Sequence, residues 1–193
     1  MEAVLIRHGE TEWTVSGQHT GRTDVPLTDE GRKQAELLAP RLTARRFAAV
    51  FTSPLSRAAD TCRLAGLADA AHARADLLEW DYGDYEGLTT PEIREHRPGW
   101  QLWRDGCPGG EAAPEVGARA DCMVAELRAL DGDAAVFAHG HVLRVIAARW
   151  VALPPQAGAL LGLSTATVSV LGHEREVAVI RLWNDGAHLR VQI

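Results

Sequence analysis

Ala3-Val4-Leu5-Ile6-Arg7-His8-Gly9-Glu10-Thr11 begins with four apolar residues and turns polar at once. A short, continuous apolar run of this kind is the signature of a strand covered on both faces. Ala48-Ala49-Val50-Phe51 stops in the same way at Thr52-Ser53-Pro54, and Ala134-Ala135-Val136-Phe137-Ala138 stops at His139-Gly140-His141. Helical stretches follow, roughly Thr28 to Arg45, Ser56 to Leu64 and Val142 to Val151. Thr28 is placed as an N-cap, with Asp29 and Glu30 favouring the helix N-terminus. Strand alternating with helix predicts βαβ units and a mainly parallel sheet with helices on both faces. The ligand crevice of such a sheet lies beyond the carboxyl ends of its strands. Those ends carry Arg7-His8, Ser53-Pro54-Leu55-Ser56-Arg57 and His139.

Outward from these strands, a further helix is expected over Pro114 to Leu130. A closing strand pair is expected over Thr165 to Leu171 and Val177 to Trp183, around His173-Glu174-Arg175-Glu176. Between Trp80 and Gly110 the chain is rich in Gly, Pro, Trp and Tyr without clear periodicity, which reads as a functional loop or lid. No repeat or domain boundary interrupts the pattern, so one domain over residues 1–193 is expected.

Composition narrows the function classes. Apolar residues make up 46% and charged residues 24%, a globular balance able to build a core. The net charge of -6 argues against nonspecific binding to nucleic acid, which needs a basic surface to displace counterions. Lys33 is the only lysine, so nearly all positive charge sits on arginine, the better fork for phosphate. Cys62, Cys107 and Cys122 form no CxxC pair and suggest neither a disulfide framework nor zinc. Only four apolar residues precede Arg7, too few for a signal-peptide core, and no run approaches ~20 apolar residues. A cytoplasmic protein without membrane partners is the expectation, and a homodimer is compatible with it. Trp100, Trp103 and Trp150 are read as core residues, with a subunit contact as the alternative.

The strand-end residues suit phosphate-ester chemistry, which needs a nucleophile, positive charge around the transferring oxygens, and an acid for the leaving alkoxide. Neutral imidazole is a good nucleophile, and His8 follows a buried strand directly. Gly9 is expected to permit close backbone approach to a ligand. Arg7 offers a guanidinium, Arg57 lies near the start of a helix that also favours anions, and a protonated His139 would add a second cation. Glu79 is the leading acid, held protonated by burial and neighbouring negative charge, with Asp81 and Glu86 as rivals. His139-Gly140-His141 is also open to metal binding, although no carboxylate-rich motif accompanies it.

Together the motifs resemble the histidine phosphatase superfamily, also called phosphoglycerate-mutase-like. The resemblance runs in order through Leu5 to Thr11, Thr23 to Thr28, Thr52 to Ala58, Glu79 to Gly87 and Ala138 to Gly140. It implies a three-layer α/β/α sandwich around a mostly parallel sheet, with His8 phosphorylated. Arg7, Arg57 and His139 would form the phosphate pocket and Glu79 would donate the proton, with no metal or other cofactor. Ser16 to Gly21, Trp103 to Cys107 and His139 to Arg144 are similar to fungal sedoheptulose-1,7-bisphosphatase and actinobacterial acid phosphatases. By that analogy Gln18, Thr20 and Arg144 would touch substrate beyond the transferred phosphate, with Tyr82 and Gly140 completing the pocket. Thr14 and Gln18 depart from the Asn and Arg of many members.

The expected function is hydrolysis of phosphate monoesters of small metabolites, sugar phosphates or bisphosphates foremost, through phosphohistidine. A cofactor-dependent phosphoglycerate mutase is the alternative, followed by a catalytically inactive phosphate-binding module or a metal hydrolase.

Overall fold

The structure, a computed structural model, describes residues 1–189; the last four residues of the expected 1–193 domain lie outside the described residues. Strands β1 (Ala3–Arg7), β2 (Ala49–Thr52), β3 (Ala71–Ala73), β4 (Ala134–Ala138), β5 (Val168–Glu174) and β6 (Val177–Asp185) form one sheet. Their order is β3-β2-β4-β1-β5-β6. The first four run parallel, and β5 and β6 add an antiparallel pair beside β1. Alternating side chains divide the core in two, as the pleat requires. Ala3 and Leu5 of β1 join Ala134 and Val136 of β4 on one face, while Val4, Ile6, Ala135 and Phe137 lie on the other.

Helices cover both faces. On the first lie α7 (Ala113–Arg128) and α8 (Gly140–Trp150), through Val116, Met123, Val142 and Ile146. On the second lie α3 (Ala39–Leu42) and α4 (Ser56–Leu64), through Leu42 and Cys62, with Leu38 just ahead of α3. The fold is therefore an α/β three-layer sandwich with a mixed, mostly parallel sheet. Each fully buried Leu, Ile or Phe contributes ~1.5–3 kcal/mol, so the double-sided core outweighs the weak propensity of such short strands.

Several expectations need correction. The helix read from Thr28 to Arg45 breaks into α2 (Asp29–Glu36) and α3. Pro40 has no N–H for the Glu36 carbonyl, so the helix stops and restarts around it. The stretch read as irregular holds α5 (Thr90–His96) and α6 (Leu102–Asp105). A capping box of Thr89 and Glu92, with Pro91 in the first turn, starts α5; this signal was present in the chain. α1 (Glu12–Ser16) and β3 are too short to show periodicity. Trp100 and Trp150, by contrast, are buried in the core as expected.

Candidate active site

Sheet register brings the site together. β1 and β4 pair in parallel with Arg7 opposite Ala138, so His8 and His139 leave the sheet side by side. Their ring centroids are 5.1 Å apart. β2 pairs with β4 up to Thr52 opposite Phe137, which places Ser53 beside His139. The Ser53 hydroxyl lies 2.7 Å from His139 Nε2.

His8 is buried, and its Nδ1 lies 2.7 Å from the Gly9 carbonyl. A carbonyl only accepts, so Nδ1 carries the proton and Nε2 is left with a free lone pair. Burial, then the charges of Arg7 and Arg57, push the His8 pKa down to about 3. The imidazole is therefore neutral across the physiological range. Gly9 also has a packing role. A Cβ there would lie 2.3 Å from the Gly31 carbonyl oxygen, so Gly9 lets the loop after β1 pack against the first turn of α2.

His8 lines a cavity of about 210 Å³ together with Arg7, Glu79, Tyr82 and Arg144. Arg7 is anchored by a hydrogen bond from Nη1 to the Leu163 carbonyl. Its Nε is sealed from solvent and finds no hydrogen-bond partner among the described residues. A buried, unpaired N–H of a cation is costly, while the guanidinium as a whole brings positive charge to the cavity wall. Gly140 leaves room for this guanidinium: a Cβ there would stand 3.3 Å from Arg7 Cζ.

Arg57 and His139 are fully buried and form a packed layer behind the nucleophile. Arg57 donates from Nε to His139 Nδ1 at 3.1 Å. Its two terminal nitrogens donate to the carbonyls of Thr23, Thr20 and Gly21. Glu86 holds that carbonyl-bearing loop by accepting from Gly21 N and Thr23 N. The second cation expected at His139 is absent. Burial first, then Arg57 and His8, hold its pKa well below the ordinary value, and its Nδ1 accepts a bond that a protonated ring would refuse. With both ring nitrogens engaged, His139 is also a poor metal ligand, and no cluster of three His, Cys, Asp or Glu that could hold a metal occurs among the described residues.

Glu79 needs the opposite correction. Its buried carboxylate accepts from Trp80 N, His141 N and Val142 N, each at 2.9 Å. Two of those donors belong to the first turn of α8, whose N–H groups have no partner within the helix. Burial raises its pKa, but the His141 side chain and the His141 N–H carry it well below the ordinary range. The site therefore holds a carboxylate where a carboxylic acid was expected. Oε2, with one backbone donor, keeps a lone pair for a proton. Asp81 and Glu86 are committed elsewhere, Asp81 to Gly83 N and Glu86 to the loop before Arg57.

The expected substrate contacts divide. Gln18 and Thr20 line the cavity, although Gln18 Nε2 donates to the Gly87 carbonyl and Thr20 to the Gln18 carbonyl. Arg144 stands over Trp103, its Cζ 4.7 Å from the ring centroid, and donates to Gly158 O and Ala159 O. Tyr82 is buried, with its hydroxyl 2.6 Å from His141 Nδ1. Thr14, also on the cavity wall, spends its hydroxyl on the α1 cap with Thr11. Sequence reasoning missed Ser53, Thr61 and the His141 side chain. Thr61 Oγ1 accepts from Gly9 N and donates to Arg57 O, tying the two halves of the site. Nothing in a lone threonine one helical turn past an arginine announces that role.

Over residues 3–186 the chain matches the histidine phosphatase superfamily (branch 1). The chain belongs to that superfamily. This histidine phosphatase is 45% identical over 186 residues to an acid phosphatase of Mycobacterium tuberculosis, covering 93% of this chain and 91% of the other. It is 38% identical over 185 residues to the sedoheptulose 1,7-bisphosphatase of Saccharomyces cerevisiae, covering 79% and 68%. A solved structure of an open reading frame product of Mycobacterium tuberculosis superposes with a TM-score of 0.90 at 43% identity, covering 95% of this chain and 96% of that one. The histidine phosphatase thus lies near acid phosphatases and sedoheptulose bisphosphatase within the superfamily, and shares the fold of that solved structure. No helix among its described residues is long and apolar enough to cross a membrane.

Proposed function

We propose that this histidine phosphatase is a cytoplasmic enzyme that hydrolyses phosphate monoesters of small metabolites, sugar phosphates or bisphosphates foremost, through a phosphohistidine on His8. The observation that carries the proposal is the bond from His8 Nδ1 to the Gly9 carbonyl, which leaves Nε2 unprotonated beside a cavity that the Arg7 guanidinium also lines.

Nε2 attacks phosphorus as the bond to the leaving oxygen breaks, and Arg7 binds the phosphoryl oxygens. Arg57 adds its charge from behind His139, and the neutral imidazoles spare the nucleophile competition from protons. Glu79 begins as a carboxylate. The arriving phosphate brings negative charge beside it and raises its proton affinity, so it takes up a proton and passes it to the departing alkoxide. Ionised again, it removes a proton from the water that attacks phosphohistidine, releasing phosphate and neutral His8. Arg144, with one face on Trp103, stands where a second anionic group of the substrate would meet it.

Mixing the enzyme with a ³²P-labelled phosphate ester and quenching in alkali should leave acid-labile label on the wild type and none on His8→Ala. In the presence of 3-phosphoglycerate and 2,3-bisphosphoglycerate, phosphate release should outpace isomerisation. Label on both proteins would refute the nucleophile; faster isomerisation would make the enzyme a mutase.

A further inference from the structure

We propose that the side chain of His141 is a specificity-determining contact, hydrogen-bonding a hydroxyl of the leaving group through Nε2. The inference rests on the phosphatase reading above and adds which substrates that site prefers. His141 occupies the first turn of α8, where its own N–H bonds Glu79 Oε2. Its Nδ1 is 3.7 Å from the same oxygen. The ring therefore stands beside the carboxylate from which the leaving oxygen collects its proton.

The ring is fixed rather than free. Nδ1 is 2.6 Å from the Tyr82 hydroxyl, and the rings of Trp103 and Trp80 flank it at 5.4 Å and 6.3 Å between centroids. Nε2, across the ring, has no hydrogen-bond partner among the described residues, while the side chain keeps 23% of its surface exposed. His141 also lines a second cavity, of about 260 Å³, with Thr90, Trp100, Gln101 and Trp103. His19 lines both cavities as well, held by a 3.1 Å bond between Nε2 and the Thr90 hydroxyl. The two imidazoles form the partition that a leaving group meets on passing from the first chamber toward the second.

A hydroxyl is the chemistry this arrangement takes. The Tyr82 bond is compatible with a proton on either nitrogen of His141, so Nε2 is a donor in one tautomer and an acceptor in the other. Only a group that both donates and accepts meets either state, and a hydroxyl does. A site built to bond a hydroxyl discriminates against the analogue that lacks one, because its own polar atom is left unpaired.

The test compares 2,3-dihydroxypropyl phosphate with propyl phosphate as substrates of the same protein. Wild type should prefer the hydroxylated ester, and His141→Phe should reduce that preference about tenfold, chiefly through KM for the hydroxylated ester. His141→Gln, whose amide both donates and accepts, should restore part of it. Because the ratio is taken within one protein, general loss of folding or of His8 chemistry cancels; absence of labelled phosphohistidine would instead sink the parent reading. On wild type alone, 2,3-dihydroxypropyl phosphonate should move the ¹⁵N resonance of His141 Nε2, and propyl phosphonate should not. Equal selectivity in wild type and His141→Phe, or equal response to both phosphonates, overturns the proposal.

Discussion

Lowering the pH to about 4.5 separates the environment of His8 from that of an ordinary histidine. Burial, Arg7 and Arg57 push its pKa down to about 3. An imidazole with the usual pKa near 6.5 would be only ~1% neutral at about pH 4.5, a loss of ~100-fold in free nucleophile. With the pKa at about 3, ~97% of His8 remains neutral under the same conditions. The rate alone does not isolate this effect, since phosphate monoesters lose their second negative charge at a pKa of ~6. Long-range ¹H–¹⁵N spectra do isolate it: the His8 ring signals, assigned by their loss in His8→Asn, should keep the pattern of a neutral ring with its proton on Nδ1 from pH 7.5 to about 4.5. Single-turnover phosphorylation should fall in parallel with substrate dianion and no further. A His8 titration midpoint near 6, or a proton on Nε2 at neutral pH, would refute both the burial argument and the role of the Gly9 carbonyl.

The same depressed imidazoles make the fold acid-sensitive. His8 at about 3 and His19 at about 4 bind protons in the unfolded chain before they do in the folded one, so stability is full above ~pH 6.5 and declines as the pH falls toward their folded values. Urea denaturation should show unfolding taking up at least ~2 protons at about pH 5, a slope of ~1.4 kcal/mol per pH unit for each; a flat profile would contradict it. Glu79→Gln should lower kcat by ~10²–10⁴ for alkyl phosphates, and by less for p-nitrophenyl phosphate, whose leaving group needs no proton; equal losses would remove Glu79 from the acid role. Gly31→Ala would place a Cβ 2.1 Å from the Glu10 carbonyl oxygen, and the forced backbone shift should cost ~1–3 kcal/mol in chemical denaturation together with activity; an unperturbed variant would show that the loop after β1 gives way freely.

The sequence by itself determined the architecture and the edge at which chemistry is placed. Apolar runs ending at Arg7, Thr52 and Ala138 specify strands covered on both faces, and the helix over Ser56 to Leu64 appears with its expected bounds. These are local properties, written in patterns a few residues long. Pro40 and the Thr89 capping box were equally legible, as the break and the start of helices. Tertiary structure alone decided the state of each group. Glu79 lies 62 and 63 residues before the α8 N–H groups that ionise it, and Arg57 reaches back to the carbonyls of Thr20, Gly21 and Thr23. Thr61, Ser53 and His141 acquire their roles from the same long-range meetings. Charge state and hydrogen-bond direction depend on distance and burial, which exist only once the sheet has closed the chain on itself.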